Sequence, residues 1–178
     1  MVLRVTTLDQ LFASRIATVV PDAVGPSLAA ELRARLDRAG YVRYALLDHG
    51  SYEVALAPDE PTVLAALAGV AGQLTGRALV VADARAVRLG PGDYLLARHD
   101  RGHDDRLVEL MLDLSPASVP DADVHYRRHD QLVLQVVSRP GALSIVERGP
   151  ETACHHAYVS KRHAGACVVR LVVRLRDA

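Results

Sequence analysis

The chain has 178 residues, half of them hydrophobic, yet it carries only six Tyr and one Phe and no Trp. That length suits one domain, with a core built mainly from Val, Leu and Ala. Its 21 basic and 21 acidic residues cancel, which removes any global electrostatic reason to bind nucleic acid or a membrane surface.

Two cysteines, Cys154 and Cys167, form neither a CxxC pair nor a disulfide framework, so a reducing cytoplasm is the expected setting. The opening stretch is interrupted by Arg4, Asp9 and Arg15 and has no small-residue cleavage site, so no signal peptide is expected. No run approaches the roughly 18 apolar residues that span a bilayer.

In chain order, residues 8–14 predict a short helix with Leu8, Leu11 and Phe12 on one face. Ile16 to Val20 then reads as a strand stopped by Pro21. Ser27 is placed to cap a helix from Leu28 to Ala39, where Leu28, Leu32 and Leu36 recur every four residues and Gly40 ends the run. Tyr41–Leu47 and Ser51–Leu56 predict two strands around an Asp48-His49-Gly50 turn. Pro61 opens a second helix to about Leu74, with Val63, Leu64, Leu67 and Val70 inward and Gly76 closing it.

From there on the pattern is β-rich. The predicted strands are 78–89, 94–99, 107–114, 123–126, 132–137, 142–146, 153–159 and 167–175, separated by Gly, Pro, Ser and Asp turns. Many short strands at this spacing predict a sandwich or jelly roll, with the two helices over one outer face. The whole chain, 1–178, reads as one domain: 1–77 is helical and strand support, and 78–178 is the jelly-roll core.

Two polar clusters stand out: His99-Asp100 with His103-Asp104-Asp105, and His155-His156 after Cys154. Imidazole plus carboxylate is the ligand set of a non-haem Fe(II) facial triad, which leaves positions open for substrate and oxygen. A solvated charged loop and a surface His pair are the plain alternatives. His125, Tyr126 and His129 flank a predicted hairpin and are read as solvent-facing. Cys154 and Cys167 are read as small core residues. No Gly-rich phosphate loop opens a helix, and there is no GxSxG elbow.

Over about 160 residues the order of elements resembles the 2-oxoglutarate/Fe(II)-dependent dioxygenases, in particular the prolyl-4-hydroxylase-like branch. The resemblance is carried by Pro91-Gly92-Asp93-Tyr94, by the strand end Leu114-Ser115, and by His156 followed by Val159 and Gly165. It implies a mainly β chain with N-terminal helices and a double-stranded β-helix (jelly roll). It implies Fe(II) held by His99, Asp100 and His156, with His103, Asp105 and His155 as alternates. It implies 2-oxoglutarate as co-substrate, with Tyr94 and Arg170 as its binding candidates, and hydroxylation of a peptidyl or small-molecule substrate.

The pattern departs from the family at two places. Aligned without gaps, Arg98 occupies the first histidine position of H-x-D, and Cys167 stands where a basic anchor is usual. Arg170 shares strand parity with Arg174 and Arg176, which predicts an outward face. Two alternatives follow: a catalytically degenerate jelly-roll binding protein, or a cupin-like metalloprotein that uses no 2-oxoglutarate. The exposed edges of a small jelly roll suit a homodimer.

Overall fold

The structure is a computed structural model that describes residues 17–46, 50–56, 58–96, 107–129, 131–149 and 151–178. The helix expected over 8–14 and the turn residues 48 and 49 lie outside the described residues.

Among the described residues, eleven strands and two helices follow one another in the order expected. The strands are β1 (Ala17–Val20), β2 (Val42–Leu46), β3 (Gly50–Leu56), β4 (Leu79–Leu89), β5 (Tyr94–Leu95), β6 (Leu107–Asp113), β7 (Val124–Arg128), β8 (Gln131–Val136), β9 (Leu143–Arg148), β10 (Thr152–His156) and β11 (Val168–Asp177). The helices are α1 (Pro26–Ala39) and α2 (Pro61–Thr75). No helix among the described residues is long and apolar enough to cross a membrane.

All pairings are antiparallel, and the spatial order is β1-β9-β6-β11-β4-β3-β5-β10-β7-β8, with β2 on the free side of β3. From β4 onward the chain passes back and forth between two halves. One holds β9, β6, β11 and β4; the other holds β5, β10, β7 and β8. That is a double-stranded β-helix. Its halves are joined at β3, where Gly50 pairs with Leu95 and Ser51 with Tyr94. Gly50 has φ +136, and a Cβ there would run into the Tyr94 carbonyl, so this crossing requires glycine.

Strands β6 and β11 explain the layering. Every residue of β6 is buried, as are the first eight of β11. Period-2 alternation sends Val108, Leu110, Leu112, Val169, Leu171 and Val173 to one side, where they pack with Leu32, Leu36, Leu67 and Ala71 of the helices. The other set, including Met111, Val168 and Val172, faces Val124, Tyr126, Val136 and Cys154 inside the barrel. The helices therefore cover an outer face, as the apolar periodicity predicted.

The helix ends differ in detail. Gly25 is the N-cap of α1 without a side-chain capping bond, and Ser27 lies within the first turn. Pro26, with φ pre-set, takes over as the start signal. Leu28 and Val70 are more exposed than the periodicity implied, at 43% and 40%, whereas Ala71 is fully buried. Both border an apolar groove of about 610 Å³ where α1, α2 and the sheet meet.

The turn before β5 is held by Asp93. Its Oδ2 accepts from the Gly90 backbone N–H (2.8 Å) and from Arg43 Nη1 (2.8 Å), and its Oδ1 accepts from Ser51 Oγ (3.0 Å). Burial alone would raise the carboxyl pKa; these donors, Arg43 foremost, outweigh it and hold the pKa below the usual carboxylate value. A depressed folded pKa contributes stability above the unfolded value and loses it as pH falls. Wild-type stability should therefore decline below about pH 4. Asp93→Asn should be less stable than wild type at pH 7, with a shallower acid limb, as read by urea midpoints across pH 3–7.

Candidate functional site

The barrel interior follows from the same alternation. On β10, Thr152, Cys154 and His156 point inward and are buried, while Ala153 and His155 face out. On β6 the inward set is Glu109, Met111 and Asp113. On β11 it is Val168, Arg170, Val172 and Arg174. Arg170 thus faces the interior, contrary to the outward face expected from parity. Parity itself holds along β11, since Val169, Leu171, Val173 and Leu175 all pack on the helix side. Arg170 and Arg174 share the interior face, where Arg174 reaches the buried Glu109, and Arg176, on the same parity, is exposed near the strand end.

Arg170 is 2% exposed and His156 is 1% exposed. Arg170 Nη1 donates to His156 Nδ1 at 2.7 Å, and Nη2 donates to the Ala122 carbonyl. Among the described residues, no carboxylate lies within ion-pair distance of Arg170. Asp113 is its register partner on β6, but that carboxylate is committed elsewhere. It accepts from the Ser115 N–H at 2.9 Å and the Arg139 N–H at 2.9 Å. Burial pulls the Arg170 pKa below the ordinary guanidinium value, against the opposing field of Asp113. A desolvated cation held only by neutral acceptors is an expensive arrangement, and one that a carboxylate ligand would relieve.

A second buried group lies further along the same interior. Glu109 (1% exposed) accepts from Arg148 Nη1 at 2.5 Å, from Arg174 Nε at 3.1 Å and from Tyr126 Oη at 3.0 Å. Arg148 Nη2 also donates to the Thr152 carbonyl at 3.2 Å. Tyr126, read from the sequence as solvent-facing, is completely buried. Its pairing with Cys154 turns it inward. Burial first, and then the Glu109 charge, push its hydroxyl pKa well up, so it remains a hydrogen-bond donor.

The remaining candidates are distributed as follows. His155 lies on the outer face of β10, its Nε2 3.2 Å from His125 Nδ1, and is half-buried. Burial first, then His125 and Arg127, push its pKa down. Tyr94 is on the outer side of β5 beside Tyr158, with ring centroids 6.4 Å apart. Its strand neighbour Leu95 is the inward residue, paired with His156. Cys154 is buried in the barrel and Cys167 is half-buried on the helix side. His99, Asp100, His103 and Asp105, together with Arg98, lie outside the described residues. Among the described residues, no group of three or more His, Cys, Asp or Glu could hold a metal ion.

No protein-family model matches the sequence. No curated protein matches it either. Solved structures do. A prolyl-4-hydroxylase from Pseudomonas putida superposes with a TM-score of 0.73 at 15% identity, covering 98% of this chain and 99% of that one. An oxidoreductase of the 2OG-Fe(II) oxygenase family from Burkholderia pseudomallei gives 0.74 at 12%, covering 96% and 90%. A viral collagen prolyl hydroxylase from Paramecium bursaria Chlorella virus-1, solved as a 2OG complex, gives 0.70 at 13%, covering 93% and 98%. The chain has the fold of the 2-oxoglutarate/Fe(II) oxygenases.

The two groups that this fold carries elsewhere can be tested against the residues present. A carboxylate fits Arg170, a fully buried guanidinium with no anion among the described residues. Fe(II) fits His156 only conditionally. With Nδ1 accepting a guanidinium N–H, a neutral imidazole carries its proton on Nε2, and a protonated nitrogen cannot ligate. The His156 ring would be free to ligate through Nε2 only once Arg170 turned to another acceptor.

The Glu109 cluster was invisible in the sequence, because its members are 17 to 65 residues apart in pairwise contact. It makes a sharp stability prediction. Glu109→Gln leaves Arg148 and Arg174 without this carboxylate in a buried site, at an expected cost of about 3–5 kcal/mol. Urea unfolding should read that loss, and Tyr126→Phe should cost only about 1 kcal/mol.

Proposed function

We propose that the barrel binds 2-oxoglutarate through Arg170 and that the chain works as a 2-oxoglutarate- and Fe(II)-dependent oxygenase. Its substrate would be a small molecule or a peptidyl side chain. The observation that carries this reading is the buried Arg170 guanidinium, which faces the barrel interior with no carboxylate partner among the described residues. The likeness to oxygenase folds supports it.

Arg170 would hold the carboxylate of the co-substrate by paired N–H donors, a geometry that favours Arg over Lys. In doing so it would release His156 Nδ1, and the ring could then present Nε2. The proposed iron ligands are His99, Asp100 and His156. Bound iron would supply the oxidising chemistry. What this chain's own residues do is set the order: carboxylate first at Arg170, then a freed imidazole. The apolar lining of Met111, Val124, Val168 and Val172 keeps water from the anchor. A reducing cytoplasm suits both Fe(II) and two free cysteines, and is the setting proposed.

A second reading is favoured by one observation, the Arg170–His156 bond. If that bond persists with a carboxylate present, the barrel is an anion-binding module without iron turnover.

Anaerobic titration separates the two. Wild type with Fe(II) and 2-oxoglutarate should develop the weak visible charge-transfer band of the chelate, and 2-oxoglutarate alone should raise Tm. Arg170→Gln should weaken 2-oxoglutarate binding by about 2–5 kcal/mol, at least roughly 30-fold. Binding of 2-oxoglutarate without the band at saturating Fe(II) selects the second reading. A folded protein that binds no 2-oxoglutarate sinks both.

A further inference from the structure

We propose that His125 and His155 form a two-histidine site for a transition ion of the Zn(II), Ni(II) or Cu(II) type, on the outside of the barrel. The site is independent of the interior, because alternate residues of β10 face opposite ways: His156 is inside and His155 outside.

The geometry is set by strand register. His155 is paired directly with His125, so the two side chains leave the sheet together on one face. Neither strand is an edge. β10 is hydrogen-bonded to β5 on one side and β7 on the other, and β7 is also bonded to β8. The backbone under the pair is therefore held from both flanks, which pre-organises the ligands.

His125 Nδ1 and His155 Nε2 are 3.2 Å apart, with ring centroids 4.7 Å apart and planes inclined at 56°. Two nitrogens bound at about 2.0–2.1 Å to one tetrahedral ion stand about 3.3–3.4 Å apart. The nitrogens are thus already at the bite distance of a single ion. In the absence of one, one ring must donate its proton to the other. An ion replaces that one hydrogen bond with two coordinate bonds: the donor ring shifts its proton to its other nitrogen, so that both facing nitrogens offer lone pairs, and both rings rotate slightly. Both rings are half-buried, so one side of the pair remains open to solvent.

The surrounding groups narrow the ion. Asp123 and Arg127 lie two residues to either side of His125 on the same face, and their charges oppose each other. The Asp123 carboxylate is engaged by Gln135 Nε2 at 2.6 Å. With imidazole donors and no carboxylate in contact, the pair suits borderline ions and disfavours Mg(II) or Ca(II). Water would fill the remaining positions.

The test uses the full chain and Zn(II) in competition with a chromophoric chelator. His125→Asn and His155→Asn should each weaken Zn(II) binding at this site at least about tenfold, while His156→Asn leaves it in place. Cu(II) on the His156→Asn protein, whose interior keeps only one of its proposed imidazole ligands, should still show nitrogen superhyperfine structure from two imidazoles in its EPR spectrum. Unchanged Zn(II) affinity in folded His125→Asn or His155→Asn protein, or a Cu(II) signal lacking two equatorial nitrogens, overturns the proposal.

Discussion

Strands β6 and β11 are buried on both faces, and most of the architecture follows from how they resolve that constraint. Each must satisfy an aliphatic outer layer and a barrel interior with alternating residues. The outer set is uniformly Val and Leu and is sealed by two helices whose buried positions are Leu and Ala. The inner set is not uniform. It interleaves Met111, Val168 and Val172 with Glu109, Asp113, Arg170 and Arg174. The outer layer supplies nonpolar burial, which is generic and tolerant. The inner layer has to satisfy charges one by one, so specificity is concentrated there.

Those interior charges are satisfied unequally. Glu109 gathers Arg148, Arg174 and Tyr126, and Asp113 closes on backbone N–H groups of the loops at residues 115 and 139. Both carboxylates accept from several donors. Among the described residues, Arg170 has only a carbonyl and an imidazole. A barrel that needed stability alone would be better served by an apolar side chain at that position. The contrast between an ion-paired cluster and a neighbouring buried cation separates the structural part of the interior from the part proposed to take a ligand.

Much of this was legible in the sequence. Helix boundaries at Gly40 and Gly76, the strand-dense second half and the Gly-Pro-Gly turn before β5 all rest on local chemistry: a left-handed Gly, a fixed proline φ, an alternating pattern. The inward turn of His155-His156 could not be read locally, since adjacent strand residues face opposite ways and only the register with Val124 and Leu95 decides which faces in. Arg170 was misjudged for a related reason. Parity groups Arg170, Arg174 and Arg176 on one face but does not say which face is outward, and the buried Glu109 that makes it the interior face lies on another strand. Tyr126 failed similarly: beside Arg127 and Arg128 it looks like part of a polar hairpin, and only its partner Cys154 puts it in the core.

The bond between Arg170 and His156 couples two questions that the family resemblance treats separately. In that pattern the metal ligand and the co-substrate anchor are independent entries in a motif. Here one side chain holds the other, through the nitrogen opposite the one a metal would use. A guanidinium cannot give up its protons, so any change of tautomer at His156 must begin with Arg170 finding a better acceptor. A carboxylate is such an acceptor, because charge-assisted hydrogen bonds are roughly twice as strong as those to a neutral partner. On the proposed reading, His156 would ligate iron only after a carboxylate has drawn Arg170 away from its Nδ1.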